Sequence, residues 1–186
     1  MSCSLVVDLR ATVKCWLDTL GIAHIYYPLS PGLEHNKGAG LQMALELGAQ
    51  VAESFDGIHC ELVDTRATKP DAVIWGHNYG IVVNQQCQRF YDEGKRHLFA
   101  TFEMIALELW RDQNQKGYFI TDHTIMKRFR PGWVYDTTDQ EPEQADTIRG
   151  LAEKLGLDPD AVEKNVKDFN TACNDKPFDL MKLDGW

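Results

Sequence analysis

Apolar residues near the N-terminus recur at intervals of three and four, which is the spacing of one helix face. The pattern Leu5, Leu9, Val13, Trp16, Leu17 and Leu20 predicts a helix over residues 5–20, and Gly21 follows where a helix would end. A second pattern of this kind, without glycine or proline, predicts an amphipathic helix over 99–111.

A different pattern, a run of β-branched residues followed by polar ones, occupies residues 80–93. Ile81–Val83 favour an extended strand, and the polar stretch 84–88 is short enough to reverse the chain. The chain resumes extended at Arg89. We therefore predict a hairpin that holds Arg89 beside the acidic pair Asp92–Glu93.

Two helices are predicted in the tail. The first spans 143–155 and is closed by Gly156. Asp158 can cap the second, which begins at Pro159 and runs to Cys173. The predicted fold class is α+β: a small mixed or antiparallel sheet with a hairpin and packed helices.

Composition limits the partners. The chain has 186 residues and a formal net charge of −9. Nucleic acid and anionic membranes need a basic protein face, so both are excluded as expected partners. No apolar run reaches the roughly 20 residues that span a bilayer, and the N-terminus does not resemble a secretory signal. Five cysteines without a Cys-x-x-Cys spacing predict reduced thiols and a cytoplasmic location.

The hairpin also carries a family resemblance. Gly-Ile-Val-Val-Asn-x-x-x-x-Arg-Phe-x-x-Glu, at residues 80–93, is similar to the hairpin of the FAD-dependent fumarate reductase, succinate dehydrogenase and 3-ketosteroid dehydrogenase flavoproteins, with the tricarballylate dehydrogenase branch nearest. Two further segments match in order: 36–40, which precedes a Met-Ala-containing helix, and the tail run 151–162.

The resemblance implies a domain organisation. Residues 55–186 resemble the substrate-clamp (capping) domain of these flavoproteins. Residues 1–54 are expected to be an N-terminal helical segment with a remnant of the edge of the flavin domain. The chain contains no Gly-x-Gly-x-x-Gly, the turn that holds a dinucleotide pyrophosphate. We therefore expect a truncated member of the family.

FAD is the cofactor that the resemblance implies, with Asn36, Gly38 and Gly40 as its contacts. The family's acidic and hydroxyl positions in that loop are Ala39 and Lys37 here. Because the dinucleotide fingerprint is missing, we expect that this chain alone does not bind flavin.

Candidate site residues follow from the same comparison and from the clustering of cations in an acidic protein. A guanidinium grips a carboxylate with two parallel hydrogen bonds, which suits a carboxylate substrate. A structural ion pair of Arg89 with Glu93 or with Asp92 is the competing interpretation, and for His59 it is a strand histidine with a satisfied hydrogen bond. The candidate catalytic residues are His59, Arg89, Glu93, Arg96 and His97. The candidate substrate-binding residues are Arg66, His77 and Tyr79.

Three functions remain open. The chain is part of a flavoprotein oxidoreductase acting on a CH–CH bond next to a carbonyl or carboxylate, or a flavin-free isomerase, cyclase or lyase that uses acid–base chemistry, or a non-catalytic binding module. Neither metal-ligand spacing nor a nucleophile elbow is present. A lost partner domain would leave the helix face Leu41–Gly48 uncovered. We therefore expect a homodimer or a flavin-binding partner chain, besides a small-molecule substrate.

Overall fold

The computed structural model describes residues 3–13, 39–52, 60–68, 72–94, 96–128, 138–173 and 177. These residues form five strands, five helices and a short 3-10 turn, His77–Tyr79. In chain order, the strands and helices are β1 (Cys3–Val13), α1 (Ala39–Glu46), β2 (Cys60–Asp64), β3 (Ile81–Asn84), α2 (Leu98–Asp112), β4 (Gly117–Asp122), α3 (His123–Met126), β5 (Glu143–Ala145), α4 (Ile148–Leu155) and α5 (Pro159–Ala172).

The strands form one sheet in the order β2-β1-β4-β3, and β5 also pairs with β1. Every strand pair of the described chain is antiparallel. The predicted α+β fold class, with a small antiparallel sheet and packed helices, is confirmed. The hairpin, the helix α2 and the last helix α5 also lie where the sequence predicts them.

The helix predicted over residues 5–20 is wrong for its first part, because residues 3–13 form the strand β1. β1 pairs with β4 along Cys3–Leu9 and with β2 along Leu9–Val13. The run Leu5-Val6-Val7 contains β-branched residues that suit a strand, and hydrogen bonding to two neighbours overrides a helical spacing read from one segment. Residues 14–20 lie outside the described part of the chain.

The first tail helix begins later than predicted. Residues 143–145 form β5 on the edge of β1, and α4 starts only after Thr147, whose side chain accepts a hydrogen bond from the Gly150 N–H (3.0 Å). Gly156, in the left-handed region at φ 68°, ends α4 as predicted. Asp158 accepts hydrogen bonds from the N–H groups of the first turn of α5, which confirms its predicted capping role.

The sheet is covered on both faces. Successive side chains of a strand point to opposite sides, and the two buried clusters follow this alternation. Val82 and Phe119 pack with α2, whereas Ile81, Val83, Tyr118 and Ile120 pack with α4 and α5. All four residues of β3 are buried as a result. The structure is therefore a three-layer arrangement in which β3 and β4 lie between α2 and the α4–α5 pair.

Helix α1 differs from the other long helices because none of its residues is buried. Met43, Leu47 and Val51 are 59%, 89% and 50% exposed and are spaced four apart. The helix ends before Gly48, as predicted, where φ is 88°. The boundary predicted near residue 54 falls within residues 53–59, outside the described part, and the two-domain division stays a prediction.

Gly80, just before β3, lies directly against the backbone of β4. A Cβ at this position would lie 2.2 Å from the carbonyl oxygen of Ile120. Gly40 in α1 has no atom within 4 Å of the same position. We predict that Gly80→Ala lowers the free energy of unfolding by more than about 2 kcal/mol, because backbone must move. Gly40→Ala should change it by at most about 1 kcal/mol, towards higher stability. Urea unfolding followed by circular dichroism measures both, and equal midpoints would contradict the packing.

Candidate functional site

The hairpin turn is built by Asn84. Its N–H donates to the Gln88 carbonyl (2.9 Å), and its side-chain oxygen accepts from the N–H groups of Gln86 (3.0 Å) and Gln88 (2.9 Å). Cys87 has φ 59°, in the left-handed region where glycine is favoured. The turn therefore holds a non-glycine residue in a backbone conformation that favours glycine.

Arg89 and Glu93 form a buried ion pair directly after this turn. Their side chains are 2% and 3% exposed, and Arg89 Nη2 lies 2.5 Å from Glu93 Oε2. Glu93 Oε1 also accepts a hydrogen bond from the N–H of Val82 (2.9 Å). Burial raises the pKa of Glu93, while Arg89 and the Val82 N–H oppose that rise. The predicted structural ion pair is confirmed, and a catalytic role for these two residues stays a prediction.

Helix α5 contacts the same pair from the other side. The guanidinium of Arg89 lies over the Phe169 ring, 5.0 Å from its centroid. The side chain of Asn165 donates to the Cys87 carbonyl (2.6 Å) and accepts from the Arg89 N–H (3.4 Å). Arg89 therefore links the second half of the hairpin to β3 through Glu93, and to α5 through Phe169.

The 3-10 turn before β3 contains two of the candidate residues, His77 and Tyr79. His77 is 1% exposed, and its Nε2 lies 3.2 Å from Thr101 Oγ1 in α2. Desolvation lowers the pKa of His77 to about 4, so its ring is neutral at pH 7. The side chain of Asn78 donates to the carbonyls of Glu93 (2.5 Å) and Arg96 (3.2 Å). His77 is thus a buried neutral side chain rather than an exposed cation.

Tyr79, Arg96 and His97 lie on the surface next to this turn. Tyr79 is 44% exposed, and Arg96 and His97 are exposed as well. His97 caps α2, since its Nδ1 accepts the N–H of Phe99 (3.3 Å). When the ring is neutral its proton must therefore sit on Nε2. Among the described candidate residues, Arg96 and His97 are the two neighbouring basic side chains that are exposed at the surface.

Arg66 lies at a separate place, at the end of β2. Its Nε and Nη2 donate to Asp64 at 3.0 and 2.8 Å, and its Nη1 donates to the Glu141 carbonyl (3.2 Å). Asp64, only 3% exposed, also accepts from the Thr138 hydroxyl (2.9 Å). These contacts fasten the loop after β2 to the segment before β5. The structure does not bring Arg66 to the group around the 3-10 turn.

Of the remaining candidates, the structure describes only Gly40. His59, Asn36 and Gly38 lie outside the described residues, and Gly40 is in the first turn of α1. Among the described residues, no atom lies within 4 Å of a Cβ built at Gly40. The described residues alone therefore form no close cradle for a dinucleotide at Gly40.

Sequence reasoning missed the residues through which α5 and α2 complete this region. Asn165 and Phe169 are recognisable from sequence only as parts of an amphipathic helix, and no local signal marks their contacts with Arg89.

An open cleft of about 490 Å³ lies where α5 meets the hairpin turn. Its lining residues are Gln86, Cys87, Gln88, Arg89, Ala161, Lys164, Asn165 and Asp168.

The side-chain oxygen of Asn78 is buried and has no hydrogen-bond partner among the described residues. Burial is the largest cause that raises the pKa of Tyr91 to about 12, so the phenol is neutral at physiological pH.

Among the described residues, no group of three or more His, Cys, Asp and Glu is placed to hold a metal ion. In the same part of the chain, no helix has the length and apolarity needed to cross a membrane.

Comparison with known proteins gives one distant similarity. The chain is 26% identical to the digoxin reductase of Eggerthella lenta over 185 residues, which cover 89% of this chain and 33% of that protein. The chain thus spans about a third of the length of the curated relative that it matches. No protein-family model and no solved structure matches it. The similarity supports a distant relationship to an oxidoreductase.

The burial of His77 gives a prediction for acid stability. Its folded pKa of about 4 lies below the ordinary 6.5, so the unfolded state binds more protons between these values and stability falls as the pH drops. From pH 7.5 to 5 we expect this histidine to cost about 2 kcal/mol of unfolding free energy. His77→Gln should lose that part of the pH dependence, whereas His123→Gln, at an exposed site, should keep it. Denaturant unfolding at the two pH values measures the difference, and identical pH dependence in both variants would contradict it.

The buried pair gives a second prediction. Glu93→Gln should lower the free energy of unfolding by about 3 kcal/mol or more, because it leaves the Arg89 charge buried without its partner. Lys164 and Asp168 are also four residues apart and paired, but are 76% and 51% exposed. Lys164→Gln should therefore cost less than about 1 kcal/mol. Chemical unfolding compares the two variants, and losses of similar size would show that burial does not govern the pair.

Proposed function

We propose that this chain forms the substrate-clamp region of an FAD-dependent oxidoreductase that acts on a CH–CH bond next to a carbonyl or carboxylate. The observation that carries the proposal is the similarity to a reductase over 89% of the chain. The motif that the family resemblance rests on is also folded as one unit, since Arg89 and Glu93 of the hairpin form a buried pair. Because the chain spans only a third of the relative, its activity as a whole enzyme remains part of the proposal.

In such an enzyme the flavin and the side chains of this chain would have separate roles. When bound, FAD supplies hydride transfer, and side chains of the clamp bind the substrate and handle the proton. Arg96 and His97 are the candidates with both surface exposure and suitable chemistry. Arg89 and Glu93 hold the hairpin behind them, and His77 packs against α2 through Thr101.

The described residues form no close cradle for FAD at Gly40, so we place the flavin on another segment or on a partner chain. Exposed apolar residues in α1 and just after it support a missing neighbour. Met43 lies in α1, Leu47 and Val51 follow it, and their exposed apolar surface costs free energy in water. A flavin-binding partner chain or a second copy of this chain would cover these residues.

A flavin-free enzyme using the same acid–base residues is the second candidate. The absence of a Gly-x-Gly-x-x-Gly sequence from the chain favours it, because acid–base side chains can move a proton next to a carbonyl without a flavin. A non-catalytic binding module is the third reading and predicts neither activity. The three functions differ in what the purified chain does without and with a flavin domain.

The test has two steps. First, we predict that the purified chain carries no flavin absorbance, either as isolated or after incubation with FAD and removal of the unbound FAD by gel filtration. We also predict that it catalyses no exchange of the α protons of added ketones in D₂O. Exchange that disappears in His97→Asn would instead support the flavin-free enzyme. Asparagine keeps a capping oxygen for α2 and removes the imidazole.

Second, a chimera in which this chain replaces the matching third of the digoxin reductase should hold flavin and reduce α,β-unsaturated carbonyl or carboxylate compounds with a viologen donor. Arg96→Gln in the chimera should lower kcat about 100-fold without changing the flavin content. Lys164→Gln serves as the control at an exposed charge outside this region. A flavin-loaded, folded chimera whose activity does not depend on Arg96 or His97 would contradict the proposed roles.

A further inference from the structure

The carboxamide of Asn78 joins the 3-10 turn to the chain that leads into α2. Its nitrogen carries two hydrogens, and it donates to the carbonyl of Glu93 (2.5 Å) and to the carbonyl of Arg96 (3.2 Å). The two acceptors are three residues apart and lie between the hairpin and the start of α2. A single side chain therefore holds both ends of the short segment that ends at Arg96.

The 3-10 turn from which Asn78 reaches is itself fixed on two sides. His77, the residue before it, is buried, and its Nε2 lies 3.2 Å from the hydroxyl oxygen of Thr101 in α2. The carbonyl of Tyr79, the residue after it, accepts a hydrogen bond from the Thr121 hydroxyl of β4 (2.8 Å). Because the turn is held by both the helix and the sheet, the bonds that Asn78 donates transmit a fixed position to the segment before α2.

The oxygen of the same carboxamide indicates that these bonds serve position more than stability. Asn78 Oδ1 is buried and has no hydrogen-bond partner among the described residues. A buried acceptor that loses its water without gaining a partner costs free energy of the same order as one or two hydrogen bonds contribute. The two donated bonds and the unpaired oxygen therefore largely offset each other, and the main effect of the side chain is to fix where the two carbonyls lie.

The backbone held in this way carries two candidates of the proposed site. Arg96 is exposed, and its carbonyl is one of the two acceptors. His97 follows it and caps α2, with its Nδ1 3.3 Å from the Phe99 nitrogen. The backbone of Arg96 thus lies between two anchored points although its side chain is exposed. A displacement of about 1 Å in a catalytic group can lower a rate about 100-fold, so an anchor of this kind matters for chemistry.

We propose that Asn78 is a positioning residue, whose carboxamide holds the backbone that carries Arg96 and His97 at a fixed place beside the 3-10 turn. Asparagine suits this task because its short side chain offers two N–H donors on one atom, whereas an ionised aspartate offers none. The catalytic consequence rests on the proposed function, but the positioning itself does not. The experiment therefore has one arm that needs no activity and one arm that does.

The first arm uses the full 186-residue chain, labelled with ¹⁵N, without a flavin. In the wild type, the side-chain amide protons of Asn78 should exchange with D₂O at least about 10-fold more slowly than those of Asn170, an exposed asparagine of α5. Equal exchange of the two side chains would show that the two bonds are not held and would overturn the proposal, whether or not any variant folds.

Variants in the same arm separate position from stability. Order parameters at the amides of Gly94, Arg96 and His97 should be about 0.85 in the wild type and below about 0.6 in Asn78→Ala and in the isosteric Asn78→Asp. Asn170→Ala is the matched control and should leave them unchanged. A urea midpoint that falls in Asn78→Ala while these order parameters stay at the wild-type values would show a merely stabilising side chain and overturn the proposal.

The second arm measures kcat in the flavin-loaded chimera with the digoxin reductase. Asn78→Ala should lower kcat about 10-fold without changing the flavin content, because Arg96 is no longer held in place. In the Arg96→Gln background the same change should cost less than about 2-fold, since the side chain that Asn78 positions is already gone. Asn170→Ala should leave kcat unchanged in both backgrounds.

The outcomes of this arm keep the two proposals apart. A loss of about 10-fold by Asn78→Ala in both backgrounds would show that Asn78 acts elsewhere and would overturn its role in positioning Arg96. A chimera that holds flavin but is inactive would contradict the proposed function, while the order parameters of the first arm would still decide whether Asn78 positions this segment.

Discussion

The buried contact between Arg89 and Glu93 is the constraint on which the arrangement of the hairpin, the sheet and the tail helices depends. Each charge loses its water on folding, and each is compensated by the other and by neighbouring groups: the Val82 N–H for the carboxylate and the Phe169 ring for the guanidinium. Such a pair adds little net stability, yet it tolerates few alternatives, since any shift that separates the partners leaves a charge in the interior. It therefore selects one placement of the hairpin against α5.

The position of this contact also explains why the hairpin motif is a structural signature before it is a chemical one. Asn84 builds the turn, and the Arg89–Glu93 pair holds the residues that follow it. Asn78 of the 3-10 turn then fixes the next residues by donating to the carbonyls of Glu93 and Arg96. Exposed Arg96 and His97 are delivered to the surface by this frame. A similarity of 26% to a reductase is therefore compatible with a shared frame, while the chemistry of each protein is decided by side chains outside the buried pair.

How far the sequence could predict this structure depended on whether the deciding interactions are local. The hairpin, the caps at Asp158 and Gly156 and the helix α2 rest on contacts within a few residues, and all were predicted. β1 and β5 were read as helices, because their strand conformation comes from hydrogen bonds to each other across more than a hundred residues. At the site, the burial of His77 and the contact of Arg89 with Phe169 depend on packing that no local pattern encodes.

The place of β1 in the sheet has a consequence for how the chain is made. Residues 3–13 are synthesised well before their partners in β4 and β5, which lie at 117–122 and 143–145. At about 5–20 residues per second, synthesis leaves this segment without those partners for roughly 5 to 30 seconds. During that interval the backbone groups of β1 that later face β4 and β5 must be satisfied by water or by other groups, so this part of the sheet is completed late.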